Sequence, residues 1–239
     1  MKGNITLQIN TVAALFASLQ MKQFKFESWK GQNKEDNILT IINTLQKCKI
    51  ITLKKKKWYR ARKISDNDEN ILYNESGIPI RGYNSEQSGV APAICISEGR
   101  ANDKFEQVLY VAEDKNTALR EIHTSQNGYA SLAYCNLNRN IKLLDFSPYS
   151  NNDLAEYTKK QFKNDIDTGV FIEMQRILTL AEYSEDQYVI SRKLVRLIKE
   201  NIDVAGMLYI SHYTGKRNVA IWDDNKYTIF SEGKVVHGV

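Results

Sequence analysis

The sequence predicts an α+β fold, a mixed sheet with helices, and three observations carry that expectation. Short apolar segments of strand character recur from residue 50 onward without regular alternation with helices. Residues 151–200 are helical in pattern and are followed by three more short strands, AGMLYIS, VAIW and KYTIF. A glycine-rich phosphate loop between strand and helix, the signature of doubly wound nucleotide-binding sheets, does not occur.

Residues 1–53 read as a mostly helical N-terminal appendage, and 54–239 as the main domain. The apolar run VAALFASL (12–19) falls well short of the roughly 18 residues a membrane span needs. No small-residue cleavage site follows it, so it reads as part of the folded protein, with a weak helix over 10–21. DNILTIINTLQKC (36–48) has apolar residues at 38, 39, 41, 42 and 45, the stripe of a helix with an aspartate near its start. IITL (50–53) and WYRARKI (58–64) are extended segments on either side of Lys54–Lys57.

From Ser65 to about Gln107 the chain is rich in Asn, Asp, Glu, Gly and Ser, with Pro79 and Pro92. So long an irregular stretch in a compact domain is usually functional, and it reads as a loop wrapping a site. VLYVA (108–112) is a strand, Asp114 an N-cap, and Lys115–Ser125 a helix ended by a turn at Asn127-Gly128. YASLAYCNL (129–137) and IKLLDF (141–146) are strands around a turn at 138–140, and Phe171–Ala181 and Tyr188–Asn201 are the strongest helical segments beyond them.

Composition narrows the function. With 42% hydrophobic and 26% charged residues the chain is an ordinary globular protein. Of the net charge of +5, four units come from Lys54–Lys57. A nucleic-acid binder spreads basic residues over a face, so no nucleic-acid partner is expected. The lysine run leaves one alternative, a non-catalytic module docking an anionic partner. Three scattered cysteines, Cys48, Cys95 and Cys135, suit neither a disulfide framework nor a zinc site and point to a reducing, cytoplasmic compartment. The histidines lack metal-ligand spacing, so no metal is expected.

The helix after VLYVA carries the chemistry. Thr117, Ala118 and Glu121 share a face, so Glu121 borders the apolar stripe, where a carboxylate needs a partner. Arginines grip diphosphates in bidentate fashion, a tyrosine ring stacks on a base, and a fixed carboxylate stabilises an oxocarbenium-like sugar. Arg60, Arg100, Tyr110 and Glu121 supply those groups.

WYRAR (58–62), GRAN (99–102), LYVAEDKNTALREI (109–122) and LYISHYTGKRNVAIW (208–222) resemble the RES domain, a family named for an arginine, a glutamate and a serine. Many of its members are toxins of bacterial toxin–antitoxin pairs. The resemblance runs through most of 57–230 and implies a fold related to ADP-ribosyltransferase toxins, with NAD as substrate. It implies a catalytic set of Glu121, Arg60, Tyr110 and Ser211, with Arg100, Asn102, Tyr59 and Asn218 binding NAD; Arg62 stands as an alternative to Arg60 for the family arginine. Cleavage of the nicotinamide–ribose bond, with water or phosphate as acceptor, is the implied reaction. Transfer of ADP-ribose to a macromolecule is the alternative, and a separate inhibitor protein the implied partner. Ala101 and Asp103-Lys104 stand where many relatives have tryptophan and proline-glycine, and Ala205-Gly206 replaces a familiar Asp-Gly.

Overall fold

Helix α1, Lys34–Lys47, forms where the apolar stripe was expected, and that stripe buries Ile41, Thr44 and Leu45 completely. The computed structural model describes residues 34–53, 57–66, 68–123, 128–137, 140–148, 150–179, 185–223 and 228–237. The helix expected at 10–21, the lysines at 54–56, the last two residues of the helix expected at 115–125 and Asn127 of the expected turn lie outside them. The chain divides into two compact units, a helical one (1–49, 98–103 and 148–203) and a sheet unit (50–97, 104–147 and 204–239).

In the helical unit α1 packs with α4 (Asp165–Thr179) and α5 (Glu185–Asn201), and α3 (Asn151–Gln161) precedes them in the chain. The Ser150 side chain caps α3 by accepting from Asp153 N at 3.0 Å, satisfying one of the orphan N–H groups of a helix start. Helix α4 buries Val170, Phe171, Met174, Ile177 and Leu178, one stripe at helical spacing. Phe171 stacks on Tyr157 at 4.7 Å. Asp167, also buried, accepts hydrogen bonds from Thr44 (2.8 Å), Lys47 (2.7 Å) and Asn164 (2.8 Å).

The sheet unit contains β1 (Ile50–Leu53), β2 (Lys57–Ile64), the β3–β4 hairpin (Leu72–Tyr73 and Pro79–Arg81), β5 (Leu109–Ala112), helix α2 (Lys115–Glu121) and β6 (Tyr129–Leu137). It continues with β7 (Ile141–Asp145), β8 (Gly206–Ile210), β9 (Arg217–Ile221), β10 (Thr228–Phe230) and β11 (Lys234–His237). Nine strands form one sheet in the order β1-β7-β8-β9-β5-β2-β6-β10, with β11 also on β6. Only the β7–β8 pair among these is parallel, so the sheet is mixed and the class is α+β. At the start of β8 a side chain on Gly206 would come within 2.3 Å of the Ala220 carbonyl, so the strands meet this closely only with glycine there.

Three local expectations change. Ile50–Leu53, assigned by sequence to the N-terminal appendage, is an edge strand of the main sheet, paired with β7. The strands β6 and β7, consecutive in sequence, do not pair: β6 lies between β2 and β10/β11, and β7 between β1 and β8. Both are apolar enough to need neighbours on two sides, which a simple hairpin cannot give. Helix α2 ends at Glu121 because His123 adopts a left-handed backbone (φ 46°) after the Ile122 C-cap. No described helix is long and apolar enough to cross a membrane.

Candidate active site

Register in the sheet unit decides which predicted residues meet. Tyr59 of β2 is the direct partner of Ala112 on β5, Ala112 of Asn218 on β9, and Asn218 of Tyr209 on β8. Residues directly opposite in such ladders point to the same face, so Tyr59, Asn218 and Tyr209 lie in one row across four strands. Two residues along β5 from Ala112, Tyr110 occupies the next row on that face, opposite Ala220. The reverse face carries Trp58, Leu109, Val111, Cys135, Val219 and Ile221, one buried core cluster.

Helix α2 folds back onto this platform and touches β2, β5 and β6. Its start is fixed by Asp114, whose side chain accepts from Thr117 N at 2.9 Å. The Thr117 hydroxyl lies 3.1 Å from the same carboxylate and 2.9 Å from the Thr214 hydroxyl. An ionised carboxylate only accepts, so Thr117 donates to Asp114 and Thr214 donates to Thr117. The helix is thereby tied to the β8–β9 turn. Two turns of helix after Asp114, Glu121 accepts from Nδ2 of Asn218 at 2.8 Å. The carboxylate is thus held over the tyrosine-bearing face.

The turn itself is built around Ser211, which is 1% exposed. Its N–H donates to the Lys216 carbonyl (2.8 Å), its carbonyl accepts from Gly215 N (3.0 Å), and its Oγ accepts from Tyr213 N (3.2 Å). That last bond leaves the hydroxyl its own proton to donate. Gly215 takes φ 66°, the left-handed conformation that closes the turn. Arg217 and Glu113 then clamp β9 to the end of β5 through a two-pronged ion pair, Nε to Oε2 at 2.9 Å and Nη2 to Oε1 at 2.5 Å. The bond to Glu113 stabilises the charged guanidinium and raises the Arg217 pKa.

The arginines are placed differently. Arg60 pairs with Ala133 and, by alternation along β2, shares a face with Trp58 rather than with Tyr59. Its charge acts on the Cys135 thiol, which burial nevertheless pushes up to about 12. Arg62 is engaged in the 65–107 loop: its guanidinium lies 4.5 Å over the Tyr83 ring and donates to the Gln87 carbonyl. These residues, with Asp68, Cys95 and Gln107, line a cavity of about 700 Å³ formed by that loop. Burial opposes ionisation of Asp68, but hydrogen bonds from Tyr83 and Asn70 outweigh it and hold the carboxyl below its usual value.

Arg100 and Asn102 belong to the helical unit, through the short segment 98–103. Arg100 donates to the Leu178 carbonyl at 2.5 Å, covering an unsatisfied carbonyl at the end of α4. Asp103 is held by Arg192 (3.1 Å) and Arg196 (2.5 Å), and the Ala101 carbonyl accepts from Lys199 (3.0 Å). Asn102 is buried and donates to the Asp103 carbonyl at 3.0 Å. The structure therefore brings Tyr59, Tyr110, Ser211, Asn218 and Glu121 into one unit, with Arg60 on the reverse face of β2 and Arg100 and Asn102 in the other unit. Sequence reading missed the Thr117–Thr214 tie and Tyr209. A threonine one turn after an N-cap aspartate was the available sign of the first; nothing local marks the second.

No curated protein matches the chain. Among solved structures it is similar to a chain of the Mycobacterium tuberculosis MbcT–MbcA toxin–antitoxin complex, at 10% identity and a TM-score of 0.46, over 82% of this chain and 91% of that one. The sequence model of the RES domain matches residues 78–236, which take in three of the four resemblance segments entirely and leave out only WYRAR (58–62). That match spans most of the chain, from the loop through Tyr110 and Glu121 to Asn218 and the last strands, and the protein belongs to the RES domain family.

Proposed function

We propose that this RES-domain protein breaks the bond between nicotinamide and ribose in NAD. The observation that carries the reading is Glu121, a carboxylate held at 2.8 Å by a buried carboxamide on the sheet face that bears Tyr59 and Tyr110. In the reaction the C1–N bond of the ribosyl pyridinium breaks, and its electron pair neutralises the ring nitrogen. Positive charge passes to the sugar, where a fixed carboxylate stabilises it better than water, which must reorient. Water or phosphate then bonds to C1 and gives up a proton, yielding ADP-ribose or its phosphate ester. Tyr110 and Tyr59 offer flat faces to the nicotinamide or ribose, and the Ser211 hydroxyl a donor.

Such an enzyme in the cytoplasm consumes its own cell's NAD, so growth arrest or defence is the proposed biological role. A separate inhibitor protein is the proposed partner. The purified protein is to be mixed with NAD, with and without phosphate, and free nicotinamide followed. Release of nicotinamide with ADP-ribose or its phosphate is expected. No turnover of NAD or NADP at any phosphate concentration overturns the reading, and a labelled macromolecular adduct with little free ADP-ribose moves it to ADP-ribosyl transfer.

A further inference from the structure

The Asn218 carboxamide has two ends, and the protein uses one. Nδ2 donates to Glu121 Oε1 at 2.8 Å. A carboxylate has no proton to give, so the amide must present its NH2 there, and this fixes where Oδ1 points. Oδ1 is buried and has no hydrogen-bond partner among the described residues. Asn218 is 3% exposed, so bulk water hardly reaches it. In-register neighbours on either side are Ala112, which has no polar side-chain atom, and Tyr209. The carboxamide is also hard to turn, because β9 is clamped one residue earlier by the Arg217–Glu113 pair. A buried acceptor left unmet costs stability, and a protein retains one where a ligand brings the donor.

We infer that Asn218 is a substrate-reading and positioning residue: Nδ2 orients Glu121, and Oδ1 accepts a hydrogen bond from a hydroxyl of the nicotinamide ribose. The inference rests on the NAD-cleaving reading of this site. Glu121 and Asn218 together present two acceptors from one hydrogen-bonded unit, which suits the two adjacent hydroxyls of a ribose. A deoxy sugar satisfies one of them and leaves the other buried and empty. Selectivity for the full diol follows, because sites built to hydrogen-bond a hydroxyl reject analogues lacking it far more strongly than apolar pockets reject a missing methylene.

The test is a cycle between residue and substrate. kcat and KM are measured for NAD and for its 2-deoxy and 3-deoxy analogues in the nicotinamide ribose, with the wild type, Asn218→Leu and Asn218→Ser. Deoxy sugars differ in intrinsic reactivity, but that difference is common to all three proteins and cancels in the comparison. The wild-type preference for NAD over one of the two analogues is expected to shrink by at least about 10-fold in kcat/KM in both variants, the size of one lost hydrogen bond in a buried site. A residue acting only on folding lowers all three substrates alike. An unchanged preference in a variant that melts cooperatively overturns the inference while leaving NAD cleavage standing. Failure of the wild type to cleave NAD removes the reading beneath it, and the inference with it.

Discussion

Asn164–Asp167 in the helical unit and Asn218–Glu121 in the sheet unit are both asparagines bonded to an acid, and these two pairs are completed differently. In the helical unit Asn164 donates to Asp167 Oδ2 at 2.8 Å and accepts from Asp167 N at 2.8 Å, so both ends of the carboxamide are met. Thr44 and Lys47 add two further donors to the same carboxylate. In the sheet unit Asn218 gives Glu121 one bond, and its own oxygen is buried without a partner among the described residues. A saturated polar cluster fastens elements together: this one joins α1 to the start of α4. An unsaturated one keeps a bonding capacity in reserve, open to a partner from outside the fold, water or ligand.

The largest effect is expected at the unsaturated pair. Glu121→Gln keeps the size of the side chain and an oxygen for Asn218 to donate to, while removing the charge. NAD cleavage should fall at least about 100-fold, near 2.7 kcal/mol of transition-state stabilisation, with the melting temperature unchanged or slightly raised. Near-full activity in a well-folded Glu121→Gln protein would remove α2 from the active site.

The saturated pair should respond in the opposite currency, stability rather than turnover. Asp167→Asn is expected to cost about 2 kcal/mol in chemical denaturation, since it weakens three bonds to a charged acceptor. The loss has a pH signature. Burial pushes the Asp167 pKa up, but the bonds from Lys47, Thr44 and Asn164 outweigh it and leave the folded value below the ordinary 3.8. A carboxyl depressed on folding contributes its stability in full above the unfolded pKa and loses it as pH falls through the folded one. The gap between wild type and Asp167→Asn should therefore be constant near neutrality and close below pH 3.8. A gap that stays open in acid would show that the carboxylate charge is not what fastens α1 to α4.

The smallest effect sharpens the comparison from the helix that bears Glu121. Asp114→Ala removes the N-cap of α2 and the acceptor of the Thr117–Thr214 chain, and should cost about 1 kcal/mol. Because α2 carries Glu121, kcat is expected to fall as well, by a factor of a few. Lost stability with unchanged kcat would mean that packing alone orients the carboxylate.

Much of this was legible in the sequence because it is local. The α+β order, the strand expected at 108–112 and found at 109–112, the Asp114 cap, the stripe of α1 and the helical character of α4 and α5 depend on neighbours a few residues apart. The resemblance to RES motifs proposed Tyr110, Glu121 and Ser211 through residue type and spacing. Three further features depended on long-range pairing. Nothing near Ile50–Leu53 says that it pairs with β7, and nothing near GRAN says that 98–103 is held by α4 and α5. The row from Tyr59 through Ala112 and Asn218 to Tyr209 joins β2, β5 and the β8–β9 hairpin, three pieces far apart in sequence, and a shift of one residue in any strand would turn its side chains to the other face. Sequence alone thus named candidate residues of suitable chemistry. Register, set by burial of the face that carries Trp58, Leu109, Val111 and Val219, decided that Tyr59 and Asn218 share a surface while Arg60 shares the face of Trp58.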